Sequence, residues 1–245
     1  MSSVCVIIPC YNEAGRLLVD AFRAYLKQTT AVRFCFVDDG STDQTRALLE
    51  QLQAEQPSRV EALILPQNRG KAGAVRAGML HVAQQSVDYV GFLDADLATP
   101  LDAINDLIEA LDRRPELDLV MGSRIKFLGV DIRRKLVRHY TGRIVATLIS
   151  NILKLPVYDT QCGAKLFRRR AVESLFRDEF ISPWLFDVEL LARMIQQHGR
   201  AEVKRRVVES PLRQWVEQSD SRISSTYMFK MWYELYRIQR TYRDV

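Results

Sequence analysis

Val4-Cys5-Val6-Ile7-Ile8 is an unbroken apolar run, closed by Pro9 and followed at once by Cys10-Tyr11-Asn12-Glu13. A run this short with no polar alternation reads as a strand buried on both faces. Working outward, the theme repeats at residues 32–37, 60–65, 89–93 and 117–121. Between these runs, 13–27, 42–55, 70–85 and 101–113 carry apolar residues at three- and four-residue spacing, the period of helices. The alternation predicts stacked βαβ units and an α/β fold, a doubly wound, mostly parallel sheet flanked by helices. Ser41-Thr42-Asp43 is expected to cap the second helix, and Thr99-Pro100 to place proline in the first turn of the fourth.

The chain has 245 residues, 47% hydrophobic and 27% charged, which excludes disordered and fibrous classes and suits one large domain. Its 35 Lys and Arg against 30 Asp and Glu give a net charge of +5, too weak to argue for nucleic acid. That balance suits phosphate-bearing ligands or an anionic membrane surface. No window approaches the roughly 18 apolar residues of a membrane span, and residues 1–4 lead into the first strand without a signal-peptide pattern. The expectation is a cytoplasmic protein, or one peripheral on the cytosolic face of a membrane. Four cysteines and three histidines form no zinc pattern and no disulfide framework, and Cys5 and Cys35 read as core hydrophobes. Past Arg124 the character shifts. Arg133, Arg134, Lys135, Arg138 and Arg143 interleave with apolar residues in an amphipathic helix over 133–153. The stretch 227–242 is helical in period and mixes Phe229, Trp232, Tyr233 and Tyr236 with Lys230, Arg237 and Arg240. Both stretches could lie on a bilayer or pack against the sheet.

Ligands of an open α/β sheet bind at the carboxyl ends of its strands. Asp94-Ala95-Asp96 ends one apolar run, and two carboxylates one residue apart can reach one hard divalent cation, or merely cap the helix that follows. Asp38-Asp39-Gly40-Ser41 ends another; it makes a turn with a cap, or accepts a nucleobase N–H or ribose hydroxyls. Asn68-Arg69-Gly70-Lys71 opens a helix whose free N–H groups suit phosphate. There is no GxxxxGK[ST], GxGxxG or GxSxG, so P-loop NTPases, NAD(P) enzymes and common hydrolases fall away.

Together these segments resemble family 2 glycosyltransferases of the GT-A fold. Ile8-Pro9-Cys10-Tyr11-Asn12-Glu13 is similar to the family's opening motif, residues 37–43 to its DDGSxD, Asn68-Arg69-Gly70-Lys71 to its NxGK, Asp94-Ala95-Asp96 to its DxD, and Gly122-Ser123-Arg124 to its GSR. Residues 94–99 and 159–167 narrow the resemblance to dolichyl-phosphate β-glucosyltransferases and dolichol-phosphate mannose synthases, with Ala164 where the family usually has Phe. The resemblance implies inverting transfer of a hexose, glucose first, from a nucleotide sugar of the UDP-glucose or GDP-mannose type to polyprenyl phosphate. Residues 1–125 would form the donor half and 126–245 the acceptor half of a single GT-A domain. Pro9, Tyr11, Glu13 and Asp39 would hold the nucleoside, with Asp38, Lys71 and Ala95 beside them. Asp94 and Asp96 would hold Mg²⁺ or Mn²⁺ on the diphosphate. Arg124 would serve the acceptor or the leaving phosphate, Arg133, Gln161, Lys165, Ser221 and Arg222 would serve the acceptor, and Trp215 would be the family's tryptophan. Gln214 stands where processive synthases have Arg, so transfer of single sugars is expected.

A phosphate monoester, largely dianionic at neutral pH, needs no general base. A hydroxyl acceptor would need one, and Asp187 or Glu189 could supply it, or could instead orient basic side chains. The rivals are therefore a family 2 transferase to a glycan or lipid hydroxyl, and a nucleotide-sugar-binding module without turnover.

Overall fold

The computed structural model describes residues 2–133, 136–217 and 227–242. The first half runs β1 (Val4–Cys10), α1 (Val19–Gln28), β2 (Val32–Asp38), α2 (Thr45–Glu55), β3 (Val60–Ile64), α3 (Gly70–Ala83), β4 (Tyr89–Leu93), α4 (Ala103–Arg113) and β5 (Leu119–Ser123). The second runs β6 (Asp131–Arg133), α5 (Leu136–Leu153), β7 (Ala164–Arg168), α6 (Arg169–Phe176), α7 (Phe186–Arg206), β8 (Val207–Pro211), β9 (Gln214–Val216) and α8 (Tyr227–Thr241).

Among the described residues the main sheet has seven strands in the order β3-β2-β1-β4-β7-β5-β8. The pairs β3–β2, β2–β1, β1–β4 and β5–β8 are parallel, while β7 runs antiparallel to both β4 and β5. The registers bring the strand ends level, with Cys10 opposite Asp38, and Leu93 opposite Ala164. One rim of the sheet thus gathers the loops that leave β1, β2, β4 and β5. Strands β6 and β9 form a separate parallel ribbon.

Alternate strand residues face opposite ways, so the sheet is covered twice. Ile7, Val37, Phe92 and Phe167 share one core with α3, α6 and α7. Val6, Ile8, Phe34 and Phe36 share the other with α1, α2 and α4. There Phe22 meets Phe34 and Phe36 edge-on, with centroids 5.1 and 5.0 Å away. Burial on both faces is why these strands lack polar alternation.

Several boundaries differ from the periodicity. Helix α1 starts at Val19 rather than residue 13, because the Glu13 N–H donates to Thr45 Oγ1 at 2.7 Å and holds the preceding segment as a loop. Ser41 does not cap α2; its Oγ accepts from the Asn12 N–H at 3.0 Å, and Asp43 Oδ1 accepts from the Thr45 N–H at 2.9 Å. Pro100 precedes α4 by one turn, its carbonyl accepting from the Ala103 N–H at 3.1 Å. Strand β5 lies two residues further on than the apolar run suggests, which brings Arg124 to its very end. Helix α8 buries Met231, Leu235 and Ile238 and exposes Trp232, Tyr233 and Tyr236, so its aromatic face is the outer one. No helix among the described residues is long and apolar enough to cross a membrane.

Candidate active site

The loops after β1, β2 and β3 are stitched together. Asn12 sits at φ 52°, a left-handed conformation asparagine tolerates, and its Oδ1 accepts from the Thr42 N–H at 2.9 Å. The buried Glu13 carboxylate takes two hydrogen bonds from Arg16, at 3.0 and 2.7 Å. Asp38 is buried and accepts from the Ser41 N–H at 3.1 Å. Asp39 is buried and accepts from the Arg69 N–H at 2.8 Å; burial pushes its carboxyl upward against that bond. Gly40, at φ +66°, lets the two loops touch, since a Cβ there would stand 2.7 Å from Asn68 N. Pro9 and Tyr11 are half-buried on the same rim.

Asp94 and Asp96 follow β4 around a bend in which Leu97 also has positive φ (50°), the second such non-glycine residue at a strand end after Asn12. Ala95 between them is buried. Asp94 is half-buried and ion-paired with the Lys71 ammonium at the start of α3. Asp96 is open to solvent, with Oδ1 accepting from the Ala98 N–H at 3.0 Å. The protein packed beneath it and the negative charge of Asp94 raise the Asp96 carboxyl. Burial works against the Lys71 ammonium, but Asp94, Asp187 and Asp96 keep it above its ordinary value. Behind Lys71, buried Asp187 meets Lys165 Nζ at 2.8 Å, and burial raises its carboxyl against the pull of Lys165 and Lys71. The charges alternate inward: Asp94, Lys71, Asp187, Lys165.

The donor set fits a hard divalent cation. Among the described residues no cluster of three or more His, Cys, Asp or Glu could hold a metal by itself. Two carboxylates that repel one another, one of them open to solvent, suit an ion such as Mg²⁺ that keeps places for water and substrate phosphates. Gly163, in the loop before β7, packs against Asp94; a Cβ there would stand 1.9 Å from Asp94 Oδ2.

At the end of β5, Arg124 donates to Asp159 through Nε (2.6 Å) and Nη2 (2.7 Å), and its N–H adds a third bond at 3.0 Å. Its guanidinium lies 5.2 Å from the centroid of the Trp215 ring. The N–H groups of Tyr158 and Asp159 donate to Glu209, at 2.8 and 2.6 Å. Burial opposes ionisation of Asp159, but the Arg124 charge and hydrogen bonds hold its carboxyl below the usual range. Nearby in sequence, Ser123 Oγ and Gln161 Nε2 are buried with no hydrogen-bond partner among the described residues.

Other expected acceptor groups lie elsewhere. Lys165 is 1% exposed, and its ammonium is spent on the Thr160 and Cys162 carbonyls (3.0 and 2.6 Å) and on Asp187. It is an internal cation, not an acceptor contact. Glu189 is fully buried; it accepts from the Ile181 N–H, Arg193 and the Tyr242 hydroxyl at 2.8, 2.8 and 2.9 Å. It braces α7 against α8 rather than facing a substrate. Arg133 is exposed on β6 and paired with Asp131. Ser221 and Arg222 lie outside the described residues. Sequence reasoning assigned no role to Gly163, Asp159 or Arg16, whose charge reaches Asp96. Two open hollows, about 240 Å³ beside Arg213 and about 460 Å³ along α8, contain none of the rim residues.

Comparison with known proteins shows the family and the fold. The model of "Glycosyl transferase family 2" matches residues 5–176. The chain is 33% identical over 249 residues to a dolichyl-phosphate beta-glucosyltransferase of Trichomonas vaginalis, covering 97% of this chain and 71% of that one. It is 34% identical to the Saccharomyces cerevisiae dolichyl-phosphate beta-glucosyltransferase (80% and 64% covered) and 32% identical to the human one (76% and 61%). It therefore spans 61% to 71% of the length of these relatives. In fold it superposes on Mycobacterium tuberculosis glucosyl-3-phosphoglycerate synthase in complex with UDP, with a TM-score of 0.69 over 100% of this chain and 81% of that one, at 17% identity. That likeness establishes the GT-A architecture. With the family model covering most of the sheet and every strand-end motif up to Gly163, the chain belongs to glycosyltransferase family 2.

Proposed function

We propose that this chain transfers glucose, with inversion, from UDP-glucose to a polyprenyl phosphate, using Mg²⁺ or Mn²⁺. The observation that carries the phosphate acceptor is the state of the two candidate bases. Glu189 is sealed by three donors, and Asp187 is buried against Lys165, so neither is placed to take a proton from a hydroxyl. A phosphate dianion needs cations instead, and Arg124 ends β5 with its guanidinium oriented by Asp159 and Trp215. The names shared by the relatives support glucose and a dolichyl-type acceptor.

In this reading the Asn12, Asp38 and Asp39 loops present the nucleoside edge, and Asp94 and Asp96 would hold the cation. A divalent ion there supplies positive charge to the departing diphosphate. Lys71 and the N-terminal N–H groups of α3 add donors beside it. Residues 1–125 serve the donor, apart from Arg124 at their edge, and 126–245 the acceptor.

The test is transfer of labelled glucose from UDP-glucose to a polyprenyl phosphate in detergent, followed by organic extraction, with Mn²⁺ or with chelator. A metal-dependent, lipid-extractable glucose is expected. No lipid-linked sugar from any nucleotide sugar would overturn the proposal. Asp187→Asn gives the acceptor class. A loss of turnover by several orders of magnitude with donor binding intact would point to a general base and a hydroxyl acceptor.

A further inference from the structure

We infer that the loop Lys126-Phe127-Leu128-Gly129, just past Arg124, is the tip by which this protein docks on an anionic lipid bilayer, setting the acceptor end of the site against the membrane surface. The inference rests on the proposed lipid-phosphate acceptor. All four residues are exposed, with Phe127 at 51% and Leu128 at 99%. An aliphatic side chain wholly in water beside an exposed aromatic ring marks an interaction surface more than a fold element.

A second pair of exposed apolar side chains lies on α5, a helix that Arg143 joins to the chain beside Asp159. On α5 the Arg143 guanidinium lies 3.6 Å from the Tyr158 ring centroid and donates to the Tyr158 carbonyl at 2.9 Å. Tyr158 adjoins Asp159, the residue that holds Arg124. Tyr140 and Ile144, flanking Arg143 on that helix, are 67% and 60% exposed. Arg143 thus ties the helix that carries one apolar pair to the residue beside Asp159, and the other pair follows Arg124 in the chain by three and four residues.

Charge selects the occupant. From Arg124 to Ile144 the sequence has seven Lys and Arg (124, 126, 133, 134, 135, 138, 143) against one acid, Asp131, a net +6. The whole chain carries only +5, so this segment holds all of the excess. Basic residues beside exposed Phe, Leu, Tyr and Ile are the chemistry of an interfacial anchor, in which apolar tips enter the headgroup boundary and cations meet anionic lipid. A protein partner would have to be strongly acidic and apolar at once, whereas an anionic bilayer is both by composition.

The test is co-sedimentation of the full chain with phosphatidylcholine vesicles, with and without phosphatidylserine, beside transfer to a short-chain polyprenyl phosphate in solution. Wild type is expected to sediment with the phosphatidylserine vesicles and to be released by high salt. Phe127→Ser with Leu128→Ser should weaken that binding at least about tenfold per side chain. Lys126→Glu should weaken it further, and all three changes should leave transfer in solution unchanged. Equal sedimentation of wild type and the double variant would overturn the inference. So would capture only by vesicles holding polyprenyl phosphate, or a concentration-dependent dimer that the double variant abolishes. Vesicle binding without any glucolipid product would leave the surface standing and remove the proposed activity. The reverse result would do the opposite.

Discussion

The Asp94 carboxylate owes its place to a hydrogen atom, for a methyl group at Gly163 would occupy the space of Asp94 Oδ2. Gly163→Ala should push Asp94 off the rim and cut Mn²⁺-dependent UDP affinity by about 10- to 100-fold, as displaced ligand support does elsewhere, with the fold intact by circular dichroism. Asp96 allows a prediction with a sign. Its carboxyl is raised in the folded protein, so it takes up a proton at a higher pH than an ordinary aspartate as acid is added. Cation binding needs the ionised form, so titrations on acidification should show Mn²⁺ affinity falling before free aspartate would protonate. A raised folded pKa also means that ionisation disfavours the folded state as pH rises through that window. Asp96→Asn should therefore lose metal-dependent donor binding yet melt no lower than the metal-free wild type. The DxD pair was legible in the sequence because both ligands sit together after an apolar strand. Gly163 was not, since its role exists only once β7 lies beside β4.

At the scale of elements, β1 to β5 were legible because each is mainly apolar and helical spacing separates them, and β7 was not because two of its five residues, Lys165 and Arg168, are basic. That charge is tolerated inside the sheet because Asp187, on the next long helix, meets it. Likewise α1 lost its first six expected residues to a hydrogen bond with Thr45, a partner remote in sequence. The tie between the end of β5 and the loop before β7 makes a measurable claim. Arg124→Ala strands Asp159, whose side chain is only 10% exposed, and should cost about 3–5 kcal/mol in denaturant unfolding. Asp159→Asn in the same chain should recover part of it. Because the folded Asp159 carboxyl is depressed, its stabilisation is present above the ordinary aspartate pKa and is lost as pH falls through the lower folded value. The wild type should therefore lose more stability between those values than the double variant. Equal acid sensitivity would count against the tie.

Over the whole molecule, the sheet joins two lengths of chain at one rim. Strands β1 to β5 bring the loops with Asp39, Lys71, Asp94, Asp96 and Arg124, and the antiparallel β7 inserts between β4 and β5 with Gly163 and Lys165. The overall architecture was readable from strand–helix alternation, whereas this insertion, which brings a strand from beyond residue 125 into the sheet of the first half, was not. Under the proposed function, the rim carboxylates would grip a cation that steadies a departing diphosphate. Crystals soaked with UDP and MnCl₂, measured for anomalous scattering at the manganese edge, test it directly. A manganese peak at coordination distance from Asp94 and Asp96 is expected, about 2.0–2.1 Å if the ion binds as a small hard cation, beside the diphosphate. A manganese peak on the nucleotide but away from both carboxylates would contradict it.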